Sequence, residues 1–193
     1  MADQERNDKI EEYLLARRIV VIEGYLDRDF LKKAMRQIVL LAIESTNEIK
    51  LVIDTVGGNC QSTFEFHDRL QLIDVPITGI VCGQCASMGI IVLMACSKRL
   101  AMFHSTFVVH SSSATYAYNA EHGDEELTHL FLRHLHQTRE FDRKYWNIIM
   151  TQTGQTMEKF EPLVHKGDRN LAFFAEEAKE IGLIEGFYSG KLF

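Results

Sequence analysis

Runs of apolar residues alternate with stretches of helical periodicity along the first half of the chain. Continuous apolar runs predict three strands, at residues 18–24, 49–53 and 77–82. Apolar residues spaced three or four apart predict a helix after each of these strands, at about 29–44, 61–72 and 88–95. This strand–helix alternation is typical of an α/β fold with a parallel sheet, in which the loops that follow the strands gather at one edge.

The second half of the chain is dominated by one long helical stretch. Two short strands are predicted at 99–102 and 106–110, followed by a helix from 124 to about 151. At about 1.5 Å per residue this helix would extend roughly 40 Å, which exceeds the width of a domain of this size. Its large apolar side chains are Leu130, Phe131, Leu135, Phe141, Tyr145 and Trp146. We expect the helix to project from the body and to bury this apolar surface against another subunit.

Composition narrows the class of protein. The 193 residues contain only two prolines and no Pro-rich linker, which favours a single domain over 1–193, with residues 1–17 as an N-terminal segment. A net charge of −6 argues against nucleic acid as a partner, because phosphate binding needs a concentrated basic face. No apolar run is long enough to span a membrane. The first ten residues are polar and do not resemble a secretion signal. Four cysteines in such a chain are typical of reduced thiols in a cytoplasmic protein.

A serine lies where the third strand meets its helix. The sequence Gly-Gln-Cys-Ala-Ser-Met-Gly over residues 83–89 places Ser87 in a turn between a buried strand and an apolar helix. Such a turn exposes the hydroxyl, and the free N–H groups at the start of the helix favour a developing negative charge. A serine that only caps the helix would have the same pattern. The motif alone therefore leaves both interpretations open.

Two further segments end at the same sheet edge. The Gly57-Gly58 pair lets the backbone approach a ligand, and an N–H of this loop could form an oxyanion hole with that of Met88. A tight turn would equally explain two glycines. His110 ends an apolar strand, which distinguishes it from the histidines on the long helix. Asp168 fits as a third member of a triad, but several other carboxylates fit on spacing alone.

The four cysteines do not indicate redox or metal chemistry. Cys82 and Cys85 form a Cys-x-x-Cys pair, but a structural zinc needs two more ligands, and Cys60 and Cys96 do not form a second pair. We interpret these cysteines as small apolar residues near a turn. The sequence therefore predicts no metal site.

Together, these segments resemble the family of Clp protease proteolytic subunits over residues 19–185. The sequence at 83–89 is close to the family's Gly-Gln-Ala-Ala-Ser-Met-Gly, and the segments around His110 and Asp168 are similar to those with its catalytic His and Asp. The resemblance implies a catalytic triad of Ser87, His110 and Asp168. It also implies an oxyanion hole from the backbone N–H groups of Gly58 and Met88. The implied fold is a spiral of β-β-α units with a long projecting handle helix, in a handle region of about 111–153.

The resemblance also implies an assembly and its partners. Two stacked heptameric rings would enclose a chamber for peptide hydrolysis, and an AAA+ unfoldase would feed it with unfolded polypeptides. The chain would need no cofactor, since ATP acts only through the partner ATPase. Peptide substrates would lie as an added strand flanked by Asn59, Cys60, Ser111 and Ser112.

Departures from the family pattern keep alternatives open. Thr55-Val56 stands where the family has Ser-Pro, and Ser111 replaces a proline, so both flanking segments lose a fixed φ. The apolar N-terminal gate of the family is not recognisable before residue 17. These changes motivate a second hypothesis, a catalytically impaired assembly subunit that partners an active ClpP paralogue. A third hypothesis is an acyl-CoA enzyme of the crotonase type, which shares the spiral fold and a backbone oxyanion hole.

Overall fold

The computed structural model describes residues 2–110, 124–164 and 172–193. The helices of this part are α1 Ala2–Leu15, α2 Arg28–Glu44, α3 Cys60–Leu70, α4 Met88–Met94, α5 Asp124–Thr153, α6 Met157–Val164 and α7 Ala175–Glu180. The strands are β1 Ile19–Leu26, β2 Ile49–Gly58, β3 Ile77–Ala86, β4 Lys98–Ala101, β5 Thr106–Val108, β6 Ala172–Phe174 and β7 Gly186–Phe187.

The strands form one sheet in the order β1-β2-β3-β4-β7, with parallel pairing throughout that path. Strand β3 has two neighbours on one side: its first half, Thr78–Val81, pairs with β4, and its last residues, 84–86, pair with β5. Strand β6 then pairs antiparallel with β5. The sheet therefore divides at the middle of β3, and its second branch leads to Ser87.

Irregular pairing divides the long strands into shorter pieces. The register between β1 and β2 shifts after Gly24, and the register between β2 and β3 shifts after Ile53. Each of the strands that precede α2, α3 and α4 is thus interrupted by a register shift. The parallel sheet with a helix after each of its first three strands confirms the predicted α/β fold class.

The core lies between the sheet and the helices that follow its strands. All seven residues of α4 are buried, because this helix packs against β2, β3, α3 and α5. The largest fully buried side chains include Phe107, Phe160, Phe173, Ile22, Leu26, Ile38, Ile49, Leu51, Ile53, Ile80, Ile90 and Ile91. The helix that begins beside Ser87 is therefore anchored along its whole length.

The long helix α5 belongs to the body at one end and projects at the other. Its 30 residues extend about 45 Å. In its second half Tyr145 and Trp146 are buried in the core of the same chain, and the ring of Phe141 lies 6.0 Å from that of Phe64. The expectation that Tyr145 and Trp146 cover another subunit is therefore wrong, whereas Phe141 is only partly buried. In the first half, Phe131 and Leu132 are exposed.

Several elements differ from the sequence prediction. Residues 1–17 carry no predicted element, yet α1 forms there and packs on β1, with Glu11 bound to Lys33 and Gln37 of α2. Strands β6 and β7 are only three and two residues long, too short for a recognisable pattern. Strands β2 and β3 continue through the predicted turns as far as Gly58 and Ala86. Residues 111–123 of the handle region lie outside the described residues.

Candidate active site

A local irregularity in β3 directs the strand toward the site. Between Val81 and Cys85, β3 has three residues where β2 has only Asp54. The Asp54 carboxylate accepts the backbone N–H of Gln84 at 2.9 Å. It also lies so close to Gly83 that an added Cβ there would come 2.5 Å from its Oδ1. Because Gly83 has a φ of +122°, only glycine fits this bend without strain.

Ser87 occupies a sharp turn between β3 and α4. Its φ of 54° and ψ of −122° lie outside the regions that a residue with a side chain ordinarily adopts. Its N–H donates to the carbonyl of Val108 at 2.8 Å, and its own carbonyl accepts the N–H of Ile90 at 3.0 Å. Its side chain makes no capping hydrogen bond to the helix. A capping hydrogen bond therefore does not explain this serine.

The glycine pair of β2 lies directly against this turn. Gly57 has a φ of +91°, and an added Cβ there would lie 2.7 Å from Cβ of Ser87 and 2.9 Å from the nitrogen of Met88. A side chain at residue 57 would thus occupy the space in which the two backbone segments touch. The structure brings together the two segments that the sequence predicts to meet at the sheet edge.

The residues after Gly57 connect β2 to α3. The backbone of Gly58 lies against that of Leu26 in β1, and the N–H of Asn59 donates to the Leu26 carbonyl at 2.9 Å. The side chain of Asn59 caps α3, since its Oδ1 accepts the N–H of Ser62 at 2.9 Å. Cys60 is the first residue of α3 and is partly buried. The side chain of Asn59 therefore holds the start of α3, and its backbone is bound to Leu26 and, through its carbonyl, to Thr63.

His110 lies just beyond the strand that neighbours Ser87. Strand β5 ends at Val108, whose carbonyl binds the Ser87 N–H, and the half-buried His110 follows two residues later. On the other side of β5, Val108 pairs with Ala172 of β6. Three other candidate residues, Asp168, Ser111 and Ser112, lie outside the described residues.

Sequence reasoning missed the roles of Asp54 and Thr55. Asp54 shapes the bend of β3, and the hydroxyl of Thr55 binds the backbone of Gly24 in β1 and of Gly57 in the glycine loop. The available signal was their position, because they are the polar residues that directly follow a buried strand and precede Gly57-Gly58. The apolar pattern alone marks them only as the end of the strand.

All four cysteines are free thiols, in two different environments. Cys82 is exposed, whereas Cys85 and Cys96 are buried in the core. Burial raises the pKa of the Cys85 thiol far above its ordinary value and that of Cys96 to about 12. Within the described residues, no group of three or more His, Cys, Asp or Glu side chains could hold a metal ion.

The buried thiols predict a loss of stability at alkaline pH. In the unfolded chain both thiols ionise near their ordinary pKa of about 9, whereas in the folded protein they stay protonated. Their contribution is therefore fully present below about pH 8.5 and decreases as the pH rises. At about 1.4 kcal/mol per thiol and pH unit, we expect the free energy of unfolding to fall by about 3 kcal/mol from pH 8 to pH 10.

Urea unfolding under reducing conditions at pH 8, 9 and 10 measures the slope of the free energy of unfolding against pH. We expect Cys85→Ala to reduce it by about half, while Cys82→Ala, at an exposed position, leaves it unchanged. An identical slope in Cys85→Ala and in the unaltered protein would contradict the explanation.

Comparison with known proteins identifies the family. The model of the Clp protease family matches residues 2–190. The chain is 31% identical over 180 residues to "ATP-dependent Clp protease proteolytic subunit 1" of Streptomyces coelicolor. The aligned residues cover 92% of this chain and 77% of that protein. It is 29% identical, with the same coverage, to "ATP-dependent Clp protease proteolytic subunit 3" of Streptomyces avermitilis. No helix in the described part of the chain is long and apolar enough to cross a membrane. This chain belongs to the Clp protease family.

Proposed function

We propose that this protein is a serine endopeptidase subunit that hydrolyses peptides or unfolded polypeptides inside a ring-shaped chamber. The observation that carries the proposal is the turn at Ser87. The serine has a strained backbone, its side chain does not cap α4, and it lies against the Gly57-Gly58 loop. Strained turns of this kind are characteristic of functional sites, because the surrounding structure must stabilise them. Membership of the Clp protease family supplies the reaction class.

In the proposed mechanism, the Ser87 oxygen attacks the carbonyl carbon of the scissile peptide bond. His110 takes the hydroxyl proton as the bond forms and then gives it to the leaving amine when the C–N bond breaks. Water hydrolyses the resulting acyl-enzyme by the same relay in reverse order. The hydrogen bond that joins Ser87 to the last residue of β5 supports this pairing, because His110 follows that strand by two residues.

Asp168 would hold the tautomer and orientation of the His110 ring. Its support comes from connectivity, since Asp168 precedes Ala172 by four residues and Ala172 pairs with Val108. The resemblance of residues 168–184 to the family's aspartate segment adds to this argument.

The backbone N–H groups of Gly58 and Met88 would stabilise the oxyanion of the tetrahedral intermediate. Such donors act without reorganisation, because the fold already holds them in place. The close approach of Gly57 to the nitrogen of Met88 supports this assignment, since the two donors belong to adjoining backbone segments. Substrate would add as a strand flanked by Asn59 and Cys60 on one side and by Ser111 and Ser112 on the other.

The chamber would be a self-assembly of stacked rings, with α5 as the handle helix. The exposed Phe131 and Leu132 in the first half of α5 are suited to contacts between subunits. An AAA+ unfoldase would deliver unfolded polypeptides to a chamber in the cytoplasm, and ATP would be consumed by that partner alone. The peptidase itself would need no cofactor, and a ClpP paralogue could share the rings.

Active-site labelling of the assembled protein tests the proposal. We expect a fluorophosphonate to add one label per subunit at Ser87, and the labelled particle to lose hydrolysis of a fluorogenic peptide. Size-exclusion chromatography with light scattering gives the mass of the same sample. Protein denatured before labelling is the control, since only a folded site activates the serine.

The same experiment separates the peptidase from the assembly subunit. An assembly subunit would form large particles yet stay unlabelled and inactive by itself, and its own chain would stay unlabelled after mixing with an active paralogue. That result would refute the proposed mechanism while leaving family membership intact.

A further inference from the structure

Thr55 lies at the centre of the candidate site although its side chain is only 1% exposed. Its hydroxyl donates a hydrogen bond to the carbonyl of Gly24 in β1 at 2.5 Å. The same oxygen accepts the N–H of Gly57 at 3.0 Å. One buried hydroxyl therefore connects the end of β1 to the glycine loop that touches Ser87.

The methyl group of Thr55 reaches the other side of the site. An added Cβ on Gly89 would lie 2.5 Å from Cγ2 of Thr55, so this methyl group covers the second residue of α4. Gly89 directly follows Met88, the proposed second oxyanion donor. Thr55 thus contacts both of the segments that carry the proposed donors.

The glycine loop follows a bulge in the pairing of β1 with β2. Gly24 pairs with Thr55, but the next pair joins Tyr25 to Gly57, so Val56 is an extra residue on β2. The side chain of Val56 is 58% exposed. The pairing of β2 with β3 is also irregular before Thr55. Gly57 and Gly58 resume the pairing, with Tyr25 and Leu26 of β1. The Thr55 hydroxyl spans the bulge and adds a side-chain restraint at the residue where the pairing resumes.

We propose that Thr55 is a positioning residue for the oxyanion hole and acts through its hydroxyl. The hydroxyl holds the 57–58 loop against Ser87 and Met88 by fixing the N–H of Gly57 and anchoring it to β1. The inference rests on the proposed peptidase function. It assigns to Thr55 a role in catalysis without contact between its side chain and the substrate.

Three variants separate the hydroxyl from the rest of the side chain. Thr55→Val keeps the shape and the methyl contact but loses both hydrogen bonds, Thr55→Ser keeps the hydroxyl and loses the methyl group, and Thr55→Ala loses both. Thr78→Val is the matched control, because Thr78 is also a buried strand threonine, with a hydroxyl 2.6 Å from the Glu48 carboxylate at the far end of β3.

The measurement is kcat and KM for a fluorogenic peptide, normalised to active sites titrated with a fluorophosphonate. We expect Thr55→Val to lower kcat roughly 100-fold with little change in KM, because a misplaced donor weakens the transition state rather than substrate binding. Thr55→Ser should stay within about threefold of the unaltered protein, and Thr55→Ala should resemble Thr55→Val. Thr78→Val should lower thermal stability without a change in kcat per active site.

Loss of activity in Thr55→Ser equal to that in Thr55→Ala would overturn the inference, since the hydroxyl would then be irrelevant. Unchanged kcat in Thr55→Val would also overturn it. If Thr55→Val and Thr55→Ala do not fold, the serine variant alone decides, because retained activity supports the hydroxyl and a loss above about tenfold contradicts it. An unaltered protein that neither labels nor hydrolyses peptides would instead refute the proposed function.

Discussion

Replacing Ser87 with alanine is expected to lower kcat for peptide hydrolysis by roughly 10⁶-fold, the scale found when a serine peptidase loses its nucleophile. Alanine keeps Cβ and must adopt the same backbone conformation, with a φ of 54°, so the change removes only the hydroxyl. Assembly should therefore be unaffected. Initial rates with a fluorogenic peptide at high enzyme concentration, together with fluorophosphonate labelling, measure the effect.

Ser189→Ala is a suitable control, because Ser189 is an exposed serine in the C-terminal segment that follows β7. It removes the same hydroxyl group from a position outside the candidate site, so it should retain full activity and labelling. A Ser87→Ala protein that hydrolyses the peptide at the original rate would show that another group is the nucleophile, and the triad assignment would then fail.

Replacing Gly57 with alanine should lower kcat by about 10²–10³-fold, comparable to the loss of one oxyanion donor. The new Cβ would lie 2.7 Å from Cβ of Ser87, 2.8 Å from the Ala86 carbonyl oxygen and 2.9 Å from the Met88 nitrogen. These separations are too short for nonbonded atoms, and two of the three are backbone atoms that cannot rotate away. The loop and the turn must therefore separate, which displaces the donors from the nucleophile.

Gly154→Ala controls for the backbone strain of this substitution. Gly154 has a similar positive φ of +68°, but an added Cβ there would meet no atom within 4 Å. Both variants should lose about 1 kcal/mol of stability from the unfavourable φ, yet only Gly57→Ala should lose kcat. Equal kcat in the two variants, measured per titrated active site, would mean that the 57–58 loop does not take part in catalysis.

Helices and strands with a strong pattern were predictable from the sequence. The helix α2 and the start of β2 follow directly from the apolar pattern, because α2 buries one face and the first residues of β2 are buried in the core. The helix α1 was not predictable, since its sequence is mostly polar and it is stabilised by contacts with β1 and α2. The aromatic residues of α5 were predicted to face another subunit, but the second half of the helix packs into its own body.

The contact between two segments of the candidate site was predictable from the sequence. The motif around Ser87 and the Gly57-Gly58 pair both stood out, and the structure brings them into contact. The contribution of Thr55 was not predictable, because a threonine after a buried strand is ordinary until its hydroxyl is seen to bind Gly24, 31 residues away along the chain. The assignments of His110 and Asp168 remain predictions.

The sequence by itself determined the order of strands and helices from β1 to α5, the family and the identity of the proposed nucleophile, because these depend on local patterns of apolar residues and on a short motif. Only the tertiary structure decided how β3 changes partners from β4 to β5 and which backbone atoms adjoin Ser87. The physical reason is that these contacts join segments distant along the chain, and they depend on bulges and positive φ angles that no local propensity specifies.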